Sequence, residues 1–266
     1  MSTDDLKRAI GAGWDEMSES YQATTRISLD DVHYGPLSPG ERELRLLGDV
    51  SGRRALELAC GAAQNSIALA KWGADATAVD ISARQLSRAR ELVVQEGVNV
   101  GLLRGDMEHL SMLKNSSFDI VLSSHGWEFI PDLAACLGEC SRVLQRDGTL
   151  VVCTVHPLAA FEWDADEEGL IVTDYFNPPV ELWTQKPDGA QHQGVTFFHT
   201  VEEVFGLLTS NGFYVERILE PFPYELHRMS EAEKRLIPCA GPYWDSQYER
   251  FKRVPFTIIY VARKRG

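Results

Sequence analysis

The sequence predicts an α/β fold built on a doubly wound, mostly parallel sheet. Short apolar segments alternate with helical segments from about residue 41 to residue 155, as expected of strands joined by crossover helices. The first apolar segment ends in small residues and leads directly into a helical segment, at Ala55–Asn65. A carboxylate, Asp80, follows the second apolar segment, where a bound ribose would need one.

The segment before the first strand is expected to form a helical cap outside the sheet. Residues 3–21 have a helical pattern with Thr3 or Asp4 as the N-cap, and Gly11–Gly13 is expected to interrupt the helix. Residues 22–40 contain Gly-Pro and Pro-Gly pairs, which favour turns.

The elements of the central segment follow in order. The predicted strands are residues 54–59, 76–79, 98–104, 118–123 and 149–155. The predicted helices are residues 41–47, 64–72, 82–96 and 131–144, with Ser82 as an N-cap. Asp147-Gly148 is a turn signal before the fifth strand.

Two long inserts interrupt the alternation after residue 155. The first, residues 156–198, places an acidic loop among aromatic residues, and a stretch of this length is usually a lid or a binding insert. The second, residues 220–253, contains a predicted helix from Ser230 to Leu236.

The end of the chain is expected to close the edge of the sheet. Thr200 caps a helix that ends at Asn211-Gly212, and residues 213–219 form the next strand. The final strand is predicted at residues 255–261, which pairs the last two strands in a hairpin-like arrangement.

Composition argues against several classes of partner. The net charge of -13, with no basic stripe, disfavours nucleic acid. The 5 cysteines are odd in number and lie mostly in apolar segments, so we expect buried thiols rather than disulfides or a metal site. No signal peptide and no apolar run of membrane-spanning length is evident, so a soluble, cytoplasmic protein is expected. Both a monomer and a homodimer remain open.

Five short motifs in this order resemble those of the class I S-adenosylmethionine-dependent methyltransferases, across about residues 41–219. The matching segments are Glu57–Ala63, Asp80, Gly105–Met107, Phe118–Val121 and Leu144–Leu150. The resemblance implies a Rossmann-like seven-stranded, mostly parallel sheet with helices on both faces, strand order 3-2-1-4-5-7-6 and an antiparallel last strand. It also implies S-adenosyl-L-methionine as the cofactor and S-adenosyl-L-homocysteine as its product.

The resemblance implies a single domain made of a cap, a core and two inserts. Residues 1–266 are expected to form a single methyltransferase domain, with the cap at 1–40 and the cofactor-binding core at 41–155. The two inserts are expected to lie over the acceptor site.

The predicted cofactor site combines carboxylates with close backbone approach. Asp80 can accept hydrogen bonds from both ribose hydroxyls, and Asp106 can accept one from the adenine amino group. Gly61 leaves room for the methionine part of the cofactor. The full set of predicted cofactor-binding residues is Tyr21, Glu57, Ala59, Gly61, Asn65, Asp80, Ile81, Asp106, Met107 and Ser123.

The loop after the first strand departs from the family pattern at Ala59 and Ala63, where glycines are common. Alanine fits where φ is negative, so the cofactor is still expected to fit, with less room beside Ala63. A dinucleotide dehydrogenase is the competing interpretation of this loop. The missing G-x-G-x-x-G pattern and the lack of a task for Asp106 in such an enzyme argue against it.

Catalytic and acceptor-binding candidates lie where the fourth and fifth strands end. His125 is the first candidate for a general base or an acceptor-orienting group, and His156 is the second. His33 is a weaker candidate. The predicted substrate-binding residues are Tyr34, Trp127, His156, Trp183 and His199.

Three functions remain open at this point. The first is methyl transfer to an oxygen or nitrogen atom of a small, specialised metabolite. The second is methyl transfer to carbon of a quinone-like acceptor, and the third is cofactor binding without turnover.

Overall fold

A single seven-stranded sheet organises the molecule, for which a computed structural model describes residues 3–185, 192–235 and 237–265. Its strands are β1 (Arg54–Leu58), β2 (Asp75–Asp80), β3 (Val100–Arg104), β4 (Phe118–Ser124), β5 (Leu144–Val155), β6 (Phe213–Leu219) and β7 (Thr257–Lys264). Their order is β3-β2-β1-β4-β5-β7-β6, and only β7 runs antiparallel to its neighbours. The predicted fold and strand order are therefore confirmed.

Helices cover both faces of this sheet. They are α1 (Thr3–Thr25), α2 (Glu41–Leu44), α3 (Gln64–Lys71), α4 (Ala83–Glu96), α5 (Leu133–Val143), α6 (Val201–Ser210), α7 (Glu231–Lys234), α8 (Pro242–Ser246) and α9 (Tyr248–Phe251). Side chains alternate along β1, so Leu56 packs with Leu137 and Val204 of α5 and α6, while Ala55 packs with Leu69 of α3. The core therefore has two layers, one on each face.

The N-terminal helix is longer and more regular than predicted. α1 runs without a break to Thr25, so the expected interruption at Gly11–Gly13 is wrong. Both glycines are buried, and a Cβ added at Gly11 would lie 3.5 Å from Cγ1 of Ile81. Close packing of α1 on the loop after β2 outweighs the low helix propensity of glycine.

Other boundaries shift by a few residues. β5 begins at Leu144, so Asp147-Gly148 lies within the strand. Asp147 adopts a φ of 59°, and the register with β4 shifts between Phe118 and Ile120, as at a β-bulge. The predicted cap at Thr200 is confirmed, since its hydroxyl accepts a hydrogen bond from the Glu203 amide at the start of α6.

The inserts contain two small hairpins and short helices. The hairpins pair Glu162–Asp164 with Gly169–Ile171, and Glu181–Gln185 with His192–Thr196. The predicted helix after Ser230 is the single turn α7, closed by a capping box with Glu233; Leu236 lies outside the described residues. Every helix within the described ranges is too short or too polar to cross a membrane.

The loop between β1 and α3 has an unexpected backbone. Ala59, Gly61 and Ala63 have φ values of 52°, 54° and 59°, so neither alanine has the negative φ that suits this residue type. The chain must reverse between the strand and the helix within a few residues, and alternating left-handed residues accomplish this. The left-handed conformation costs an alanine about 1–2 kcal/mol, which the surrounding contacts must offset.

The Gly126 position provides a test of how tightly this loop is packed. A Cβ at Gly126 would lie 2.5 Å from the Ala59 Cβ. Gly126→Ala should therefore lower the free energy of unfolding by about 1–3 kcal/mol, and adding Ala59→Gly should recover most of the loss. Urea denaturation measures both. Gly206→Ala, where an added Cβ meets nothing within 4 Å, is the control. If Gly126→Ala lost as much stability with Ala59→Gly as without it, the assigned contact would be contradicted.

Candidate active site

A cavity with about 910 Å³ of empty space opens at the carboxyl ends of β1 to β4. Its floor consists of the segments that follow these strands, and α1 lies across it. The lining residues from α1 are Lys7, Ile10, Trp14, Tyr21 and Gln22. The position is where open parallel sheets bind their ligands.

Asp80 ties the loop after β1 to the end of β2. One carboxylate oxygen accepts a hydrogen bond from the Gly61 amide, and the other accepts one from the Ser82 amide, each at 2.8 Å. The side chain lines the cavity. Burial raises the pKa of Asp80 to about 6.

Glu57 lies beneath the start of α3, with part of its side chain in the cavity wall. Its carboxylate accepts hydrogen bonds from the Ser66 amide at 2.9 Å and from the Ser66 hydroxyl at 2.6 Å. Burial raises the pKa of Glu57 to about 7. These contacts hold the first turn of α3 against β1.

Lys7 of α1 reaches down to the segment after β3. Its ammonium group donates to Asp106 at 2.8 Å and also contacts the buried carboxylate of Glu108. Burial opposes protonation of Lys7, but these hydrogen bonds and charges raise its pKa. Met107 lines the cavity beside them.

Three glutamines connect the cap to the core. Gln64 of α3 donates to the Gln22 side-chain oxygen at 2.6 Å, and Gln22 of α1 donates to the Gln85 side-chain oxygen of α4 at 3.0 Å. All three line the cavity. Sequence reasoning missed both this chain and Lys7, because isolated glutamines and a single lysine form no recognisable motif.

Aromatic rings complete the wall on the α1 side. The Trp14 ring packs edge-on against Tyr21 and Phe129, with ring centroids 5.3 and 5.1 Å apart. All three line the cavity together with Ile81. Burial raises the pKa of Tyr21, so its phenol stays protonated.

His125 lies in the loop after β4 and faces the cavity with part of its ring. Nδ1 is 2.8 Å from the buried Glu128 carboxylate, and Nε2 is buried without a hydrogen-bond partner among the described residues. Burial alone would lower the pKa of His125, but the adjacent Cys153 and Glu128 side chains outweigh it and raise the pKa well above the usual value. Nδ1 is thus occupied by Glu128, and Nε2 is buried beside Gly35, so neither ring nitrogen is open to a ligand in the cavity. The sequence did not single out Glu128.

Two predicted cofactor-binding residues lie one layer behind the cavity wall. The Ser123 hydroxyl donates to the Leu58 carbonyl at 3.2 Å, and the Asn65 side chain contacts His33. Both are fully buried. The other predicted cofactor residues line the cavity: Tyr21, Glu57, Ala59, Gly61, Asp80, Ile81, Asp106 and Met107.

The structure does not bring the predicted acceptor residues to the cavity. The Tyr34 hydroxyl donates to buried Glu41 at 2.7 Å, and Trp127 packs in the core beside α5. Nε2 of His156 is 2.9 Å from the Glu220 carboxylate, and Nδ1 of His199 is 3.0 Å from that of Glu203. The Trp183 side chain lies outside the described residues.

The inserts also lie elsewhere than expected. None of their described residues lines the cavity. Instead, Gly194 and Val195 of the second hairpin pack beside α1 at a small surface pocket that Trp14 also lines. The hairpin therefore contacts the outer side of α1, and α1 itself covers the cavity.

Residues 56–152 match the family described as "Methyltransferase domain", and this segment contains most of β1, all of β2 to β4, most of β5 and the floor of the cavity. This match and the sheet topology support an S-adenosylmethionine-dependent methyltransferase with the class I fold. The protein is accordingly a methyltransferase, and S-adenosylmethionine is its cofactor.

Individual relatives share only part of this methyltransferase. The chain is 27% identical over 177 residues to the "uncharacterized methyltransferase YbaJ" of Bacillus subtilis, which covers 64% of this chain and 69% of that protein. It is 32% identical over 107 residues to a ubiquinone biosynthesis O-methyltransferase of Methylococcus capsulatus, covering 40% of this chain and 45% of the relative.

A crystal structure of an S-adenosylmethionine-dependent methyltransferase from Mesorhizobium loti has a similar fold. It superposes with a TM-score of 0.63 at 23% identity, over 83% of this chain and 95% of that one.

The ion pair from α1 to the core can be tested by removing its cation. Lys7→Ala leaves buried Glu108 without its cationic partner, so the free energy of unfolding should fall by about 1–3 kcal/mol. Lys7→Arg should retain most of the stability. Arg8→Ala, which removes an exposed ion pair with Asp5, is the matched control and should cost less than about 0.5 kcal/mol. An equal loss of unfolding free energy in Lys7→Ala and Arg8→Ala, measured by urea denaturation, would show that the Lys7 contacts stabilise the fold no more than an exposed ion pair does.

Proposed function

We propose that this methyltransferase transfers a methyl group from S-adenosylmethionine to an oxygen or nitrogen atom of a small, specialised metabolite. The observation that carries the proposal is the cavity beneath α1, in which carboxylates from the ends of β2 and β3 face the loop after β1. A site covered by a helix suits an acceptor small enough to fit inside it.

The polar groups of this cavity suggest how the cofactor would lie: across the carboxyl ends of β1 to β3, with its methionine part at β1 and its adenine at β3. Asp80 would accept hydrogen bonds from the ribose hydroxyls, using lone pairs left free by the Gly61 and Ser82 amides. Asp106 and Met107 would hold the adenine. The loop at Ala59–Gly61 would take the methionine part, with Glu57, Asn65 and Ser123 supporting that loop from behind.

The reaction itself places few demands on the protein. S-adenosylmethionine supplies a methyl carbon activated by a positively charged sulfur. The chain must then align the acceptor with that carbon and exclude water, and α1 with its aromatic rings would do both. Because His125 is paired with Glu128, and His156 lies away from the cavity and is paired with Glu220, we propose that neither histidine removes the acceptor proton.

Charge and thiol chemistry support the remaining parts of the proposal. The net charge of -13 favours a small-molecule acceptor over nucleic acid. The described cysteines are all free and buried, as in proteins of a reducing compartment, which supports a cytoplasmic location. A homodimer stays a prediction that light scattering of the purified protein tests.

Transfer of a ¹³C-labelled methyl group distinguishes the possible acceptor atoms. Incubation of the enzyme with labelled S-adenosylmethionine and panels of small phenols, amines and quinols should give products whose labelled carbon is bonded to oxygen or nitrogen. Asp80→Ala should abolish the transfer. Label on carbon would instead identify a C-methyltransferase, and no transfer to any compound would favour binding without turnover.

The protonation of Asp80 predicts how cofactor affinity depends on pH. The folded pKa of about 6 lies above the usual value, so the free enzyme holds a proton on Asp80 below that pH. If the ribose binds to the ionised carboxylate, S-adenosylhomocysteine affinity should be nearly constant above about pH 7 and fall about tenfold per pH unit below 6. Isothermal titration calorimetry measures this dependence.

Two variants establish whether Asp80 is the group responsible. Asp80→Asn should weaken S-adenosylhomocysteine binding and flatten its pH dependence. Asp75→Asn, at the exposed start of the same strand, should leave both unchanged. If Asp80→Asn kept the wild-type pH dependence of S-adenosylhomocysteine affinity, the titrating group would be another one. Glu57→Gln is then the next variant to measure.

A further inference from the structure

His33 lies in the loop between α1 and α2 and lines the cavity at its β1–β4 side. Its carbonyl accepts a hydrogen bond from the Ser124 hydroxyl at the end of β4, at 3.0 Å, and its amide donates to Asn65 of α3, at 2.9 Å. β1 and β4 are neighbours from which the chain winds in opposite directions, β2 and β3 to one side and β5 to the other. His33 is thus held at the switch point of the sheet, where ligand crevices form.

The contacts of Asn65 determine which nitrogen of His33 carries the proton. The backbone amide of His33 can only donate, so the Asn65 atom that it contacts is the carbonyl oxygen, Oδ1. The same Oδ1 is 2.7 Å from His33 Nδ1, which must therefore be the protonated nitrogen. In the neutral ring this leaves Nε2 with a free lone pair.

The ring is neutral at physiological pH. Burial disfavours the charged imidazolium and lowers the pKa of His33 to about 4. No residue in the described ranges forms a hydrogen bond with Nε2. The other basic side chains of the cavity wall are not available in this way, because Lys7 is bound by two carboxylates, and His125 is bound by Glu128 at Nδ1 and buried at Nε2.

We propose that His33 is a catalytic residue whose Nε2 atom accepts the proton of the methyl acceptor, and that Asn65 positions it by fixing the ring tautomer. The inference rests on the proposed methyl transfer to oxygen or nitrogen. The acceptor atom forms a bond to the methyl carbon as the carbon–sulfur bond breaks, and that electron pair stays on sulfur. The acceptor's proton moves to Nε2, and the resulting imidazolium, still bonded to Asn65, loses it to solvent after product release.

A weak base is sufficient for this step. The proton of a hydroxyl or amine becomes far more acidic as the oxygen gains a third bond or the nitrogen a fourth, because that atom then acquires a positive charge. A neutral imidazole can therefore take the proton late in the transfer. Before that, its lone pair orients the acceptor's O–H or N–H bond.

The test compares two ligands that differ only at the reacting centre. Sinefungin carries an amine-bearing carbon where S-adenosylmethionine has its methyl-bearing sulfur. It therefore places N–H donors where the methyl group and the acceptor meet. S-adenosylhomocysteine has no such donors at this place. His33→Ala should weaken sinefungin at least about tenfold, the usual effect of losing a hydrogen bond to a charged group. It should change S-adenosylhomocysteine affinity less than about threefold, and His227→Ala, at an exposed histidine, should change neither.

Each outcome of the calorimetry has one meaning. An equal loss for both ligands would place His33 against the methionine part and overturn the proposal, as would no loss for either ligand. If the wild-type protein bound neither ligand, the proposed cofactor site itself would fail.

Nuclear magnetic resonance of the wild-type protein tests the tautomer independently of any variant's folding. The ¹⁵N shifts of the His33 ring should show protonated Nδ1 and unprotonated Nε2 at pH 7, and sinefungin, not S-adenosylhomocysteine, should shift Nε2. Asn65→Ala should leave a mixture of tautomers. A ring protonated at Nε2 in the wild-type protein would overturn the proposal.

Discussion

The carboxylate of Asp80 is the contact on which the geometry of the cavity depends. It accepts the amide of Gly61 with one oxygen and that of Ser82 with the other, so it links the loop after β1 to the loop after β2. The first of these loops is held in a left-handed backbone at two alanines, a conformation that would not persist without such contacts. The same carboxylate faces the cavity, so the group that shapes the loop is also available to a ligand.

The fold was largely predictable because its signals are local. Apolar segments of strand length, separated by helices with recognisable caps such as Ser82 and Thr200, determine the sheet and most of its boundaries. Where local preference was not followed, tertiary contacts outweighed it. Gly11 does not break α1 because the helix packs closely on Ile81, and Ala59 and Ala63 take positive φ because the turn between β1 and α3 requires it.

The cavity was only partly predictable, for a different reason. Asp80 and Asp106 follow strands, so their place at the carboxyl edge of the sheet follows from topology. The residues that α1 contributes meet partners far away in sequence, as Gln22 meets Gln85 and Lys7 meets Asp106, and no spacing pattern indicates such pairs. Similarly, His125 is close to the cavity as its position after β4 suggests, but its pairing with buried Glu128 appears only when the side chains are placed.

The position of α1 also has a consequence for the order of assembly on the ribosome. The helix is synthesised before the sheet that it covers, yet Lys7 bonds to a residue 99 positions later, and Trp14 packs on Phe129. At about 5–20 residues per second, the residues after β3 that contact α1 are synthesised roughly 5–20 seconds after the helix. The part of its apolar face that packs on Phe129 remains uncovered during that time. The cavity can therefore close only after its floor has been synthesised, although its cover is made before the sheet.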